Sequence, residues 1–416
     1  MPQAGSVDVA IVGAGIIGLA TAVALLDAGR RVLLIDPDGI ARGTSSGNAG
    51  GLAYSDILPL ASKGMLSKVP GWLADPLGPL SIPPSYLPRI APWLLRFWRA
   101  GLADRREAAI AAQAALMQLA STEMQALIAR AGLAGMVHED GVLELYESEQ
   151  ELTASLPGWD ARERHGIGFE HVRGARLAEL QPGLSPRLVA GTFVPSWHSV
   201  DDPYRFAATI GEHATARGAE LLQQRVTGLR PVEQGVELQL ADSSQRLARQ
   251  VVVAAGAWSK TLTAPLGDAV PLETERGYNT TLPAGSFDLR RQLTFGGHGF
   301  VISKLASGIR VGGAVELGGL ELPPNYARAD AMLQKAARFL PGLTTEGGTQ
   351  WMGYRPSLPD SLPVIGASRA TPDIVYAFGH GHLGLTQSAA TGRLVQQLLA
   401  RQRPAIDLSP FSPQRF

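Results

Sequence analysis

The 416-residue sequence contains no cysteine, which excludes disulfides, thiolate metal sites, cysteine nucleophiles and a flavin attached through sulfur. It also carries no net charge, with 37 basic and 37 acidic residues. Nucleic-acid binding needs a basic excess or a basic stripe, so this balance removes the electrostatic case for such a partner. Hydrophobic residues make up 45% of the chain, which is enough to bury a large core. The length predicts two domains.

The uncharged run from Val9 to Leu26 is 18 residues long and has the apolar character of a membrane span or a signal sequence. A bilayer needs about 20 residues, however, and Asp8 and Asp27 bracket the run. We interpret it as a buried parallel strand followed by a helix packed through its glycines. Because no secretory leader precedes this run, we expect a cytoplasmic protein.

Residues 9–36 have the pattern of a strand, a glycine-rich turn, a helix and a second strand. The first strand leads into Gly13-Ala14-Gly15-Ile16-Ile17-Gly18, and the second strand ends in Asp36. Gly13 permits the tight turn, and Gly15 lets the backbone approach a pyrophosphate at a helix N-terminus. Gly18 allows helix and strand to pack closely, and Asp36 can accept the ribose hydroxyls. The spacing predicts a dinucleotide site, and we prefer this interpretation to a merely structural turn.

Three other segments could bring backbone close to a ligand. The run from Gly43 to Gly51 is rich in glycine and hydroxyl groups, which predicts a loop with accessible N–H groups. Residues 251–258 are an apolar strand that ends in small residues, although a buried strand with a glycine turn explains them equally well. The turn from Gly379 to Gly384 lies between a strand and a helix and presents free N–H groups.

Periodicity and capping residues predict the remaining elements. The alanine-rich segment from Asp104 to Arg130 is an amphipathic helix stopped by a glycine. Asp201 or Asp202 can cap a helix that has Pro203 in its first turn and a glycine at its end. Further predictions are a strand over 219–226, a strand–turn–strand unit over 236–254, a strand over 374–378 and a helix over 385–399.

In their order along the chain, these motifs resemble one known family. The series comprises the glycine fingerprint with Asp36, the Thr44–Gly50 loop, Asp202-Pro203-Tyr204, Val251 to Trp258, Arg276-Gly277-Tyr278, Arg310-Val311-Gly312-Gly313, Gly353-Tyr354-Arg355-Pro356 with Asp360 and Pro363-Val364-Ile365-Gly366, and the Gly379 to Thr386 turn. Over nearly its whole length the chain resembles the FAD-dependent amino-acid dehydrogenases and oxidases that include bacterial D-amino-acid dehydrogenase and glycine oxidase.

The resemblance implies an α/β fold in which a Rossmann-like FAD-binding domain is interleaved with an α+β substrate domain that contains an antiparallel sheet. Residues 1–50, 195–265 and 345–416 would form the FAD-binding domain, and residues 51–194 and 266–344 the substrate-binding or cap domain. The fingerprint and the resemblance together predict these cofactor contacts: Gly13, Gly15, Ile16, Ile17, Gly18, Asp36, Thr44, Ser45, Ser46, Asn48, Ala49, Gly50, Gly51, Val226, Ala255, Gly256, Trp258, Gly353, Arg355, Gly381, His382, Leu383, Gly384 and Thr386.

Three residues are predicted to act on the substrate. By resemblance, Arg355 binds the substrate carboxylate, for which the two-point fork of a guanidinium is well suited; a surface or interdomain salt bridge is the alternative. Tyr278 could hydrogen-bond the same carboxylate, or could simply be half-buried in a strand. His382 stands where glycine oxidase has a second arginine, and this departure weakens any transfer of that enzyme's substrate preference. His380, His382 and His298 could tune the amine proton or be structural.

The implied reaction is FAD-dependent oxidative deamination of a small amino acid, preferably a D-amino acid or a cyclic D-imino acid such as D-proline or hydroxyproline. Hydride would pass from Cα to the flavin, giving an imine and then a 2-oxo acid, so no metal or protein nucleophile is required. Three alternatives stay open: a glycine- or sarcosine-type amine oxidase that uses O₂, a non-catalytic flavin- or nucleotide-binding protein, and an NAD-dependent dehydrogenase.

Residues 69–98 combine prolines, aromatic residues and arginines. The prolines exclude one continuous helix across this segment. A folded cap over the active site is the preferred interpretation, and a membrane-surface or quinone-access patch is the second. The second would suit a quinone or the respiratory chain as electron acceptor and a peripheral position at the inner face of the cytoplasmic membrane.

Overall fold

The fold is described from a computed structural model, which describes residues 7–61 and 77–416. Within these residues the strands are β1 (Val7–Val12), β2 (Val32–Ile35), β3 (Gly51–Leu52), β4 (Leu80–Ser81), β5 (Val137–His138), β6 (Val142–Tyr146), β7 (Glu170–Arg173), β8 (Ala190–Val194), β9 (His198–Val200), β10 (Glu220–Leu222), β11 (Val226–Val232), β12 (Gly235–Leu240), β13 (Gln245–Val253), β14 (Glu273–Leu282), β15 (Gln292–Phe295), β16 (Phe300–Leu305), β17 (Gly308–Glu316), β18 (Thr349–Ser357), β19 (Val364–Ala367) and β20 (Ile374–Phe378).

The α-helices of the same residues are α1 (Ile16–Asp27), α2 (Leu87–Ala100), α3 (Ala103–Ala131), α4 (Glu149–Arg164), α5 (Gly174–Leu180), α6 (Pro203–Ala216), α7 (Ser259–Thr263), α8 (Ala327–Phe339) and α9 (Gly384–Leu399). The predicted helix over 104–130 is α3, which ends at Gly132 in the left-handed conformation. The predicted cap of α6 is Asp202, whose carboxylate accepts a hydrogen bond from the N–H of Arg205. Both predictions are confirmed.

The first sheet has eight strands in the order β10-β2-β1-β13-β12-β11, with β20 beside β13 and β19 beside β20. Its centre is parallel: β10, β2, β1, β13 and β20 run the same way. The central strands are buried along their length, as expected for a parallel sheet covered on both faces. The strand, helix and strand of the glycine fingerprint are therefore β1, α1 and β2, as predicted.

The second sheet has nine strands in the order β18-β14-β17-β16-β15-β6-β8-β7, with β4 beside β17. Most of its strand pairs are antiparallel, which confirms the predicted antiparallel sheet. Residues Leu143, Phe295, Ile302, Val311 and Phe339 belong to the apolar core that joins this sheet to α8. A small third sheet, β3-β9-β5, lies between distant parts of the chain.

The structure departs from the predicted domain division in two places. Strand β18 pairs with β14 and so belongs to the second sheet, whereas the predicted boundary at residue 345 grouped it with the cofactor domain. Helix α3 was grouped with the substrate domain, but its Leu116 and Met124 join the core that contains α1, α6 and α9. Sequence patterns find helices and strands, but they do not show which layer a helix packs against.

One prediction about secondary structure is wrong in detail. The strand over 219–226 is shorter, because pairing in β10 ends at Leu222 and β11 begins at Val226. Residues 69–76 lie outside the described part of the chain. Over 77–98 the prediction that no single helix spans the segment is confirmed, because β4 precedes α2 and α2 begins only at Leu87, although α2 itself includes Pro92. Pro88 stands in the first turn, where the missing N–H is not needed, so Pro92 removes only one intrahelical hydrogen bond.

Candidate active site

A cavity of about 1030 Å³ is lined by residues of both sheets. Its walls include Asp36 at the end of β2 and, on the other side, Trp93 and Phe97 of α2. The cavity is large enough for a cofactor and a small substrate together, because single ligand pockets in proteins measure about 300–1,000 Å³. It is therefore the place to look for the predicted cofactor and substrate residues.

The cavity brings together most of the predicted residues. Those on its walls are Gly13, Gly15, Ile16, Ile17, Asp36, Thr44, Ser45, Asn48, Ala49, Gly51, Val226, Ala255, Gly256, Trp258, Tyr278, Gly353, Arg355, Gly381, His382, Leu383 and Gly384. Gly18, Ser46, Gly50 and Thr386 are not among the lining residues. The hydroxyl of Ser46 donates a hydrogen bond to the carbonyl of Gly43, and the hydroxyl of Thr386 accepts one from the N–H of Ala53. Both residues therefore hold segments that line the cavity without lining it themselves.

The glycine fingerprint forms a close-packed cradle at the start of α1. Gly13 has a φ of +110°, and a Cβ on it would lie 2.3 Å from the carbonyl oxygen of Ala254. A Cβ on Gly18 would lie 2.0 Å from the carbonyl oxygen of Gly13. Within the described residues Gly15, which precedes α1, makes no side-chain capping hydrogen bond, and α1 has no acidic residue in its first turn. A helix N-terminus with closely approachable backbone and no acidic residue suits an anion, as a pyrophosphate requires.

The carboxylate of Asp36 is held in place by backbone groups. Its Oδ2 accepts a hydrogen bond from the N–H of Ala14 at 2.9 Å, and its Oδ1 accepts one from the N–H of Asp38 at the same distance. A carboxylate has about four lone-pair sites, so these two bonds leave acceptors for hydroxyl donors. The geometry is compatible with a ribose at this end of the cavity.

The loop after β2 connects the cradle to the second sheet. The hydroxyl of Ser45 accepts a hydrogen bond from the N–H of Ile16 at 2.9 Å, and the hydroxyl of Thr44 donates to the carbonyl of Tyr354 at 2.9 Å. The side chain of Asn48 donates to the carbonyl of Ser45. This loop therefore fixes the start of α1 relative to the strand that carries Arg355.

Three buried polar atoms on the cavity wall have no hydrogen-bond partner within the described structure. They are Nε1 of Trp93 and Nε1 of Trp197, both in residues that are 7% exposed, and Oδ1 of Asn279, which is 3% exposed. A buried unpaired polar group costs about 1–3 kcal/mol, so such groups commonly serve a ligand. A flavin ring carries both carbonyl oxygens and an N–H group. With the cradle at α1, the residues present fit FAD.

Arg355 lies on β18 with its guanidinium directly above Gly277 of β14. A Cβ on Gly277 would be 2.2 Å from Cζ of Arg355, so only glycine leaves room for this placement. Nη1 of Arg355 donates to the carbonyl of Ala314 at 2.9 Å, and Nη2 donates to the carbonyl of Gly313 at 3.4 Å. The pairing of β14 with β17 is irregular here, and Ala314 has a φ of +54°. A bulge of this kind turns a carbonyl out of the ladder, where it can hold the guanidinium.

Glu275 and His382 form a hydrogen-bonded pair next to Arg355. Glu275 is opposite Arg355 in the register of β14 and β18, and its Oε2 lies 2.6 Å from Nε2 of His382. Burial alone would raise the pKa of the Glu275 carboxyl, but His382 and Arg355 together hold that pKa below its ordinary value. Burial lowers the pKa of Arg355, and the nearby carboxylate of Glu275 acts in the opposite direction. The guanidinium stays charged, because an arginine is not deprotonated in proteins. The site thus holds an ionised carboxylate against a cation.

A second charged cluster lies beyond His382. Asp56 lines the cavity, and its Oδ1 is 3.6 Å from Nη2 of Arg162. The carboxylate of Glu144 is also attracted electrostatically by the guanidinium of Arg162. The side chain of Asp56 opens to the cavity, and its enclosure by the surrounding protein raises the pKa of the carboxyl against the attraction of Arg162 and His382. Two carboxylates therefore share one arginine at this end.

The structure places Tyr278 on the wall, but its hydroxyl is already engaged. It donates to Oε2 of Glu316 at 2.5 Å and accepts a hydrogen bond from the N–H of Asn325 at 3.0 Å. Arg276 is fully buried and pairs with the same Glu316 at 3.0 Å. Burial and the contact with Glu316 raise the pKa of Tyr278 to about 12. A contact of this hydroxyl with the substrate carboxylate stays a prediction.

The other two candidate histidines have structural surroundings. His380 is 4% exposed, and its Nε2 lies 2.9 Å from the hydroxyl of Thr391. Burial lowers the pKa of His380 to about 3, so it is neutral at physiological pH. His298 pairs with Glu147 at 2.7 Å and is not among the residues that line the cavity.

Sequence reasoning missed Glu275, Gly277 as the seat of the guanidinium, and Asp56. Residues 275 and 277 are two apart on one strand and therefore face the same side of the sheet, which the pattern around Arg276 could have indicated. Their proximity to Arg355 depends on the pairing of β14 with β18, which the sequence does not reveal. No local signal identifies Asp56.

The cavity joins the glycine cradle at α1 to a region, called the chamber below, that is lined by Arg355, Glu275, His382 and Asp56. A large cavity with a few convergent charged groups is typical of a cofactor-dependent enzyme. Residues 8–398 match the model of the FAD dependent oxidoreductase family, and the chain belongs to this family. The predicted cofactor, FAD, is confirmed by this membership. No helix in residues 7–61 and 77–416 combines the length and apolar character needed to cross a membrane.

Named relatives cover nearly the whole chain. The sequence is 39% identical over 418 residues to a D-amino-acid oxidase of Bradyrhizobium diazoefficiens, covering 98% of both chains. It is 28% identical over 415 residues to a D-amino acid dehydrogenase of Rhizobium johnstonii, covering 98% of this chain and 99% of the relative. Among solved structures, glycine oxidase from Geobacillus kaustophilus superposes with a TM-score of 0.76 at 23% identity, covering 99% of each chain. That identity supports a shared fold alone.

Proposed function

We propose that this FAD-dependent oxidoreductase catalyses the oxidative deamination of a D-amino acid or a cyclic D-imino acid. The observation that carries the proposal is the placement of Arg355, with its guanidinium seated on Gly277 beside the Glu275–His382 pair on the cavity wall. The names of the relatives, D-amino-acid oxidase and D-amino acid dehydrogenase, support the substrate class and the D configuration.

In this proposal the walls of the cavity divide between cofactor and substrate. The first sheet with α1, the Thr44–Gly51 loop and the Gly381–Gly384 turn would hold the cofactor, and the second sheet would bind the substrate. The adenosine would lie at Asp36 and Val226, and the pyrophosphate at Gly13 and Gly15. These positions line one continuous cavity, as a single extended cofactor requires.

Arg355 would bind and orient the substrate through its carboxylate. Its guanidinium is fixed by the carbonyls of Gly313 and Ala314, so little side-chain freedom is lost when a carboxylate binds. Bound FAD supplies the ring that accepts the hydride from the substrate Cα. The protein would orient the Cα–H bond toward that ring and exclude water from it. Trp93 and Phe97 of α2 cover this part of the cavity with apolar side chains.

The test is the spectrum of the purified protein without oxygen. We expect flavin absorbance that is bleached by one or more D-amino acids or by D-proline, and not by their L-enantiomers. Bleaching by L-enantiomers alone would contradict the proposed configuration. A flavoprotein that no amino acid bleaches would favour a non-catalytic binding protein, and a colourless protein that reduces NAD would contradict the cofactor assignment.

We further propose a quinone or another respiratory-chain component as electron acceptor, at the inner face of the cytoplasmic membrane. One face of α2 covers the cavity with Trp93. The same helix exposes Leu95 and Trp98, which are 64% and 43% accessible, near Arg96. Exposed apolar side chains next to arginines suit a membrane surface. Turnover with a quinone analogue should therefore exceed hydrogen peroxide production; equal rates would make the protein an oxidase.

A further inference from the structure

The His382–Glu275 pair has one buried member and one open member. Glu275 is 3% exposed, whereas the side chain of His382 is 37% exposed on the wall of the cavity. Nε2 of His382 bonds Oε2 of Glu275. The other ring nitrogen, Nδ1, has no hydrogen-bond partner in the described part of the chain. The carboxylate therefore fixes the ring, and the ring presents its second nitrogen to whatever enters the chamber.

This arrangement has the elements of a proton-accepting pair. A carboxylate that accepts a hydrogen bond from one ring nitrogen fixes the tautomer in which the other nitrogen carries a lone pair. It also stabilises the imidazolium that forms when that nitrogen takes a proton. Glu275 is unsuited to be the base itself. It is buried, and His382 and Arg355 lower the pKa of its carboxyl, so the carboxylate is a weak proton acceptor.

We propose that His382 accepts a proton from the α-ammonium group of the substrate at Nδ1, with Glu275 as the positioning residue. This inference rests on the proposed function. Amino acids carry an ammonium group at neutral pH, and an ammonium nitrogen has no lone pair with which to form a C=N bond. That proton therefore has to pass to a base before the Cα–N bond is oxidised, and His382 offers one on the cavity wall that also carries Arg355.

The step balances without a further reactant. The N–H bond of the ammonium group breaks, its electron pair stays on nitrogen, and the proton forms the Nδ1–H bond of His382. Bound FAD would accept the hydride that leaves Cα with the electron pair of the Cα–H bond, and the nitrogen lone pair would form the C=N bond of the iminium ion. Water added to the iminium ion gives the 2-oxo acid and ammonium. His382 returns its proton to solvent through the open side of the ring.

Charged groups on three sides act on this imidazole. Glu275 bonds it, Arg355 stands beyond Glu275, and Asp56 on the loop after β3 interacts with it electrostatically. Arg162 lies behind Asp56 and partly offsets that carboxylate. Glu275 and Asp56 favour the protonated ring and the arginines oppose it, so the carboxylate in direct contact should dominate.

The experiment follows flavin reduction in the holoenzyme under anaerobic conditions across pH, with a saturating D-amino acid. The variants are Glu275→Gln, His382→Ala with and without added imidazole, and the control His298→Gln. His298 pairs with Glu147 at 2.7 Å in the same way but is not a lining residue of the cavity. Flavin content and absorbance report whether each variant has folded.

We expect His382→Ala to slow reduction by about 100-fold or more at neutral pH, the range of a lost general base, and imidazole to restore part of the rate. Glu275→Gln should move the acidic limb of the pH profile to lower pH, because the imidazolium loses the carboxylate that stabilises it. His298→Gln should retain the parent profile.

Two results would overturn the inference. One is a parent-like pH profile and rate in both His382→Ala and Glu275→Gln with full flavin content. The other is a slow His382→Ala enzyme that imidazole does not rescue, with an acidic limb unmoved in Glu275→Gln, which would make the pair structural. In both cases the unmodified protein still oxidises amino acids, so the proposed function stands. Failure of every amino acid to reduce the unmodified protein would refute the proposed function itself.

Discussion

Gly277→Ala is the substitution that most directly tests whether Arg355 binds the substrate carboxylate, a role called the Arg355 clamp below. A Cβ at residue 277 would lie 2.2 Å from Cζ and Nη2 of Arg355 and 2.5 Å from Nη1. Non-bonded carbon atoms settle about 3.5–4.0 Å apart, so the guanidinium would have to move by more than about 1 Å. It is the end of a flexible side chain, and hence it can move without disturbing β14. The variant should fold and bind FAD but present its arginine in the wrong place.

A displacement of about 1 Å in a positioning group can cost about 100-fold in rate. We therefore expect kcat/KM for a D-amino acid to fall by about 100-fold in Gly277→Ala, measured with an artificial electron acceptor. The flavin absorbance per protein should be unchanged. Amines without a carboxylate should be poor substrates of both proteins and should not distinguish them, because they do not use the clamp.

Gly228→Ala provides a matched control on another strand. Gly228 lies on β11, where the nearest atom to an added Cβ is Cβ of Gln239 at 3.8 Å, an ordinary contact. This variant should retain both activity and flavin. If Gly277→Ala were as active as Gly228→Ala with full FAD, the substrate carboxylate would have to be bound elsewhere and the reasoning about Arg355 would be wrong.

Three further predictions follow from the site. Arg355→Lys should lower kcat/KM at least tenfold and Arg355→Ala further, since a lost charge-assisted hydrogen bond is worth about 1.5–3 kcal/mol; parent-like oxidation by Arg355→Ala with FAD bound would contradict the clamp. Gly15→Val should give colourless protein, because its side chain would enter pyrophosphate space beside Ser45; full flavin occupancy would refute the cradle. Hydrogen peroxide should form more slowly than a reduced quinone analogue, and equal rates would show that O₂ is the acceptor.

The cofactor half of the fold was predictable because its signals are local. Gly18 is required by a contact within one strand–turn–helix unit, because a Cβ on it would lie 2.0 Å from the carbonyl oxygen of Gly13. The spacing of the glycines at 13, 15 and 18 is itself a local signal, although the close approach at Gly13 is to Ala254 after β13. The cap of α6 is local in the same sense, since Asp202 accepts from the N–H of Arg205 three residues later. Such features need no knowledge of how distant strands pair.

The substrate half was less predictable because its contacts join distant residues. Glu275 and His382 are 107 positions apart, and their meeting depends on where the turn before α9 lies against β14. Arg355 was found by resemblance, but its seat on Gly277 follows from the register of β14 with β18. Neither amphipathic periodicity nor glycine spacing carries that information, which explains why Glu275 was missed.

Charged groups of both signs lie next to one another from the cavity wall into the protein behind it. Arg355, Glu275, His382 and Asp56 line the cavity, and this row of groups continues behind the wall with Arg162 and Glu144. Arg355 and His382 oppose the effect of burial on the pKa of Glu275, and Arg162 opposes it for Asp56 and Glu144. Isolated charges are costly to bury, but neighbouring charges of opposite sign stabilise one another. The chamber can therefore be dry enough for hydride transfer and still bind a zwitterion. Neutralising one member should perturb its neighbours as well, so effects of double substitutions within this row should not be additive.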